Sequence, residues 1–230
     1  KSLYTNIPNQ EGLNALKHVL SHHRHENPAP WVLQRLAAIV LTSNIFKFKD
    51  KIYIQKQGTA MGTRMAPSYA IIYMSQVEEQ LLAAAVLKPE LWKRFIDDIF
   101  FIWKHGEEEL KRFVQYLNDS HDKIKFTVNY SHESVPFLDV KVFKGEHGKL
   151  ETTLYIKDTD ACQYLEYHSS HPTKQKDNIP FGQFLRARKI CSREEDFEYH
   201  YRRMYNIFKD RNYNTDVMER AVQVVKGMTR

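Results

Sequence analysis

The stretch RFIDDIFFIW, Arg94 to Trp103, sets two adjacent carboxylates between apolar runs. Its flanks are short, aromatic and β-branched, the pattern of half-buried strands, so it reads as a β-hairpin with Asp97 and Asp98 at its turn. Two readings fit such a pair. Asp is a common turn residue, and the pair would then only keep the turn wet. Alternatively, the strands hold the carboxylates rigidly so that they bind a divalent cation; Mg²⁺ takes a few carboxylate oxygens and leaves its other positions to substrate phosphates. The rest of the chain has to decide.

The 230 residues are 42% hydrophobic, enough to bury a core in one domain or two. A net charge of +6 favours a polyanionic partner. Two cysteines, Cys162 and Cys191, are few for a secreted chain of this size and point to a reducing, intracellular compartment. No apolar run approaches a membrane span and no signal peptide is recognisable, so no membrane partner is expected. The first residue is Lys1 rather than Met, which reads as a fragment or processed product.

Outward from the Asp-Asp hairpin, apolar spacing predicts a helix over Asn9–His25, a second over Trp31–Asn44 and a hairpin over Phe46–Ile54 turning at Lys49-Asp50. The histidines at the end of the first helix, His22, His23 and His25, read as a solvated helix end, because no Cys or acid follows at ligand spacing. QGTAMGTRMAPSYA, Gln57 to Ala70, is rich in small residues and leads into a helix over Tyr69–Leu87. Its Gly58 and Gly62 permit close approach to the backbone, and the helix offers its positive end to phosphate; an ordinary glycine-containing loop fits equally. A charged amphipathic helix over Glu107–Ser120, a strand over Lys123–Tyr130 and a hairpin over Val135–Ile156 follow. From Lys157 strand patterning fades and basic residues crowd, so a boundary is expected there. The expected class is α+β: an antiparallel sheet covered by helices on one face, then a mostly helical basic segment.

Taken in order, SLYTNIP (Ser2–Pro8), QGTAMGTRMAPSYA, RFIDDIFFIW, IKFT (Ile124–Thr127), VPFLDV (Val135–Val140) and HPTKQKDNIPFGQFLRARKICS (His171–Ser192) resemble a reverse transcriptase, more narrowly those of Penelope-like retroelements. Each motif is weak alone; the order and spacing, with Asp97 standing 40 positions after Gln57, carry the resemblance. It implies a polymerase palm with partial fingers and a primer-grip hairpin over residues 1–156, and a helical basic thumb over 157–230. The implied activity is RNA-directed DNA polymerisation on an RNA template and DNA primer from deoxynucleoside triphosphates, with two Mg²⁺ ions, Mn²⁺ as an alternative, and a nuclear site of action.

Residue by residue, the resemblance makes Asp97 and Asp98 metal-binding acids, which reverses the balance between the two readings of the pair. Gln57 and Gly58 match the loop beside the incoming nucleotide, with Arg64 as a phosphate contact or a plain surface arginine. Tyr4 matches the residue below the sugar, where a ring excludes a 2′-hydroxyl; a core tyrosine is the alternative. Lys125 is the candidate general acid for pyrophosphate, with Lys123 its rival and an exposed strand lysine the plainer reading. Asp139 reads better as a structural acid than as a ligand. Lys174, Lys176, Arg186, Arg188 and Lys189 are the candidate duplex contacts, and for Arg186, Arg188 and Lys189 ordinary solvated helix charge fits equally.

The family's aspartate five residues before the tyrosine falls ahead of Lys1, so the 230-residue chain alone is expected to be inactive. Fingers ahead of Lys1 and a GIY-YIG endonuclease domain beyond the C-terminus are features the resemblance implies for the parent protein. A decayed or repurposed polymerase domain that holds nucleic acid without extending it is the competing function. Telomerase shares the polymerase chemistry and is a related reading.

Overall fold

The computed structural model describes residues 3–22 and 27–229. His23 and His25 of the histidine cluster, and Ser2 of the first motif, lie outside the described residues. The chain is α+β and divides into two compact units, Lys1–Val128 and Asn129–Arg230.

The first unit is built on one long helix. Its elements are α1 (Leu3–Asn6), α2 (Asn9–His22), α3 (Pro30–Thr42), β1 (Ile45–Phe48), β2 (Lys51–Ile54), α4 (Ala66–Ala84), β3 (Leu91–Phe95), β4 (Asp98–Ile102) and α5 (Glu107–Asp119). Tyr69, Ala70, Tyr73, Met74, Val77 and Leu81 recur at three- and four-residue spacing, so one face of α4 is buried along its length. Helix α2 packs against it. A Cβ on Gly12 would lie 2.0 Å from the Tyr69 hydroxyl, so only glycine lets that ring pack against α2. The Tyr73 hydroxyl donates to Glu11 at 2.8 Å and meets His121 Nε2 at 2.8 Å. Burial, then the Glu11 carboxylate, push the Tyr73 phenol far above its usual range; burial lifts Tyr69 to about 12.

The strands form three separate antiparallel sheets among the described residues, β1–β2, β3–β4 and a three-stranded β5–β6–β7, where a single sheet was expected. The segment read as a strand over Lys123–Tyr130 belongs to no strand or helix. Its place in a ladder is taken by one side chain: Asn118 Nδ2 donates to Phe126 O at 3.0 Å and Asn118 Oδ1 accepts from Phe126 N at 2.7 Å.

In the second unit, β5 (Ser134–Phe137), β6 (Val140–Lys144) and β7 (Leu150–Leu154) precede α6 (Thr173–Ile190), α7 (Glu194–Asp210) and α8 (Thr215–Lys226). The hairpin expected to belong with residues 1–156 therefore lies with the C-terminal helices. Thr152 and Ser192 show why: Ser192 N donates to Thr152 O and Thr152 N to Ser192 Oγ, each at 2.7 Å. Leu154 enters the core formed by Phe184, Phe197, Met204, Phe208, Met218 and Val225. Helix α6 packs on both α7 and α8.

His200 on α7 is 7% exposed and meets Thr153 Oγ1 at 3.1 Å through Nε2. Burial lowers its pKa below the ordinary 6.5; Asp196 opposes that shift and Arg203 adds to it. The unfolded chain therefore binds the proton more readily than the folded one, so stability is intact above about pH 6.5 and falls as pH drops through the lowered value. Between about pH 8 and about pH 5, the melting temperature of the wild type should fall further than that of His200→Gln. Calorimetry of both proteins across that range checks it, and parallel curves would refute the assignment.

Candidate active site

The β3–β4 hairpin pairs Phe95 with Asp98 and leaves only Ile96 and Asp97 in the turn. Ile96 has φ of +56°, a conformation that sterics disfavour for any L-residue and most for a β-branched one. Such a turn holds only where its surroundings fix it. Along β3, Trp92 and Arg94 face inward, whereas Lys93 and Phe95 are exposed. Asp98, opposite Phe95, shares the exposed side. Asp97 and Asp98 are both exposed, and among the described residues neither meets a cation or a hydrogen-bond donor. Two hard oxygens fit Mg²⁺, which is commonly held by one or two carboxylates plus substrate phosphates. No group of three or more His, Cys, Asp or Glu side chains with metal-binding geometry occurs among the described residues.

The inward side chains tie this turn to α4. Arg94 Nη2 donates to Ile71 O at 3.3 Å and Nη1 to Ile96 O at 3.2 Å. Its Nε lies 2.8 Å from Glu78 Oε1, an ion pair whose N–H is not aligned for a hydrogen bond. Ile71 stands five residues into α4, about 8 Å along its axis. The Asp97 turn therefore sits beside the first turns of the helix that the Gln57–Met65 loop enters.

That loop is held by α1 and the start of α2. Thr59 N donates to Tyr4 O at 2.8 Å, Gly58 N to Asn9 Oδ1 at 2.8 Å, and Gln57 Nε2 to Asn6 O at 3.4 Å. The structure thus brings Tyr4, Gln57 and Gly58 together. Gly58 has φ of +76°, and a Cβ there would lie 2.4 Å from Tyr4 O. The close approach read from this glycine is therefore made by the protein's own backbone rather than by a ligand. Tyr4 is half-buried and packs against the first core. Arg64 is exposed just ahead of α4.

Lys125 is exposed, and its Nζ donates to Asn118 O near the end of α5. A cation there satisfies a helix C-terminal carbonyl.

The five basic candidates of the second unit separate. Lys174 and Lys189 are exposed. Lys176 is corrected: it is 6% exposed, donates to Tyr167 O at 2.6 Å and Ser169 O at 2.7 Å, and lies over the Tyr167 ring. Its ammonium braces the segment before α6 and is out of reach of a phosphate. Arg186 pairs with Asp139 at 2.7 Å, which makes Asp139 a structural acid. Arg188 pairs with Glu194, donates to Met228 O at 3.1 Å and stacks on Phe197.

Asn9, Glu78, Arg94 and Asn118 were missed in the sequence. For Arg94 a signal existed: strand alternation places it inward with Trp92, and an inward arginine requires a partner.

Comparison with known proteins finds two matches. Residues 163–223 match the model of the animal helix-turn-helix domain. In the structure this span holds α6, α7 and most of α8, with α7 and α8 joined by a short turn and Asn214 capping α8 by accepting from Asp216 N at 2.9 Å. The chain is also 28% identical over 127 residues to the telomerase reverse transcriptase of Oryza sativa subsp. japonica. That match covers 46% of this chain and 10% of the rice protein's length. The relationship is reverse-transcriptase-like, distant and partial.

Proposed function

We propose that this chain carries palm and thumb elements of an RNA-directed DNA polymerase of the Penelope-like type, the first unit supplying the nucleotidyl-transfer residues. The observation that carries the reading is the pair of exposed carboxylates, Asp97 in a strained turn tied to α4 and Asp98 at the start of β4 beside it. The rice relative supports the polymerase class, and the order of the sequence motifs supports the Penelope-like lineage. Bound there, Mg²⁺ ions would stabilise the attacking 3′ oxygen and the departing pyrophosphate. Asp97 and Asp98 hold the ions, the Gln57–Gly58 loop flanks the nucleotide, and Tyr4 lies below its sugar. Lys174 and Lys189 contact duplex phosphates in the second unit, where the helix-turn-helix match also supports nucleic-acid binding. Lys125 is kept as the general-acid candidate, its carbonyl contact being one an exposed lysine can exchange.

Primer extension with Mg²⁺ on an RNA template, by this chain and by the full product of its gene, tests the reading. Template-dependent incorporation of deoxynucleotides supports it. Salt-sensitive duplex binding without extension by either protein would overturn it in favour of a binding module.

The sugar contact gives a separate expectation. Tyr4→Val removes the ring and should raise ribonucleotide over deoxynucleotide incorporation by about tenfold or more, the scale of one steric contact. Single-nucleotide kinetics with matched substrates read the ratio, and an unchanged value would leave Tyr4 a core residue only.

A further inference from the structure

We infer that Arg94 and Glu78 are positioning residues that set the depth and orientation of the metal-binding turn; the inference rests on the reading of Asp97 as a metal ligand. The Arg94 side chain is 8% exposed and that of Glu78 12%. Burying two charges is unfavourable unless the geometry uses them fully, so the pair calls for a reason beyond filling space.

Its contacts supply one. A single guanidinium meets three oxygens on two parts of the unit: it donates to Ile96 O in the turn itself and to Ile71 O on α4, and it pairs with the Glu78 carboxylate further along α4. Glu78 Oε1 in turn accepts from Trp92 Nε1 at 2.9 Å. One acid therefore holds both inward side chains of β3. Trp92 also stacks on Phe101 of β4 at 5.4 Å, so both strands of the hairpin are fixed to α4. The carbonyl that Arg94 grips belongs to the residue with the left-handed backbone, and the next residue is Asp97. Rotation of that peptide would swing Asp97 directly. Lysine cannot replace this arrangement, because an ammonium lacks the planar fork that meets several acceptors at fixed angles.

The consequence falls on metal choice. Mg²⁺ demands near-ideal octahedral geometry at short distances, so a ligand that wanders loses Mg²⁺ first. A larger ion such as Mn²⁺ tolerates longer and less regular contacts.

The test compares wild type, Arg94→Lys, Arg94→Met and Glu78→Gln, with Asp97→Asn alongside, in the gene's full product. The Mg²⁺ concentration for half-maximal extension should rise by about tenfold or more in the Arg94 variants, the usual scale for losing an outer-shell partner. Mn²⁺ should recover most of the lost rate, and primer-template affinity should stay as in wild type. Two readouts do not depend on turnover. Mn²⁺ binding to the complex with a chain-terminated primer, followed by electron paramagnetic resonance, should weaken. Amide exchange in the metal-free protein should quicken at the Ile96–Asp98 turn while the α4 amides stay protected.

An unchanged Mg²⁺ requirement in Arg94→Lys, or exchange quickened evenly across the first unit, would overturn the inference. Glu78→Gln keeps an oxygen acceptor for Trp92 and serves where Arg94→Met fails to fold. Full activity in Asp97→Asn would instead remove Asp97 from the metal site, the reading on which the inference rests, and absence of extension by the wild type would sink the polymerase reading; loss in Asp97→Asn with an unaltered metal profile at Arg94 would sink only the positioning role.

Discussion

Asp97→Asn is expected to abolish primer extension while leaving duplex binding intact. The amide keeps the size and shape of the carboxylate, so the two-residue turn and the Arg94 contact with Ile96 O are undisturbed. What changes is the charge on the oxygen: a neutral amide is a poor ligand for a hard cation. Metal ions supply several kcal/mol of stabilisation to the charge that develops during phosphoryl transfer. Losing about 4 kcal/mol of it lowers the rate roughly a thousandfold, since each 1.36 kcal/mol is a factor of ten. Duplex affinity should persist, because the proposed contacts to phosphate come from lysines elsewhere. Extension on a gel, beside anisotropy titration at two salt concentrations, separates the two effects. Turnover within tenfold of wild type would remove Asp97 from the site.

The hairpin that carries this aspartate was legible because two short aromatic and β-branched runs flank an acidic pair suited to a turn, whatever they pack against. Strand alternation puts Arg94 on one face with Trp92, and the structure turns that face inward. Alternation could not name Glu78, because that pairing depends on how a hairpin docks on a helix sixteen residues earlier. Lys176 shows the converse failure. It was read by its charge as a phosphate contact, yet Lys176, Pro180, Phe184 and Ala187 form one buried stripe of α6, a spacing present in the sequence. Ile124, Phe126 and Val128 alternate as a strand does, but a strand also needs a partner, and the side chain of Asn118 took that place. The change of composition at Lys157 was real, while the compact units divide at 128, because β7 joins the C-terminal helices through Thr152 and Ser192. Composition reports what a segment is made of; packing depends on what it meets.

Gly58 gives the largest expected effect on stability. Gly58→Ala must carry a left-handed φ of +76°, which costs an L-residue about 1–2 kcal/mol. It must also place a Cβ 2.4 Å from Tyr4 O and 2.6 Å from the Thr5 Cα, both backbone atoms that no rotamer change can move aside. Relief requires the loop and α1 to part; the Thr59 N bond to Tyr4 O is then lost, and the shift of Gly58 breaks the hold of Asn9 Oδ1, at the start of α2, on Gly58 N. Each such bond is worth about 1 kcal/mol, so the total loss should reach roughly 3–4 kcal/mol. For a unit of this size that lowers the melting temperature by roughly 10 °C or more. Gly62 provides the control within the same loop. Its φ is +91°, but nothing lies within 4 Å of an added Cβ, so Gly62→Ala carries the conformational cost alone. Thermal melts of the two variants should therefore differ by about 2 kcal/mol, with Gly58→Ala the less stable. Equal melting would mean that α1 does not press on the loop, and Tyr4 would then lose the contact that places it beside Gln57.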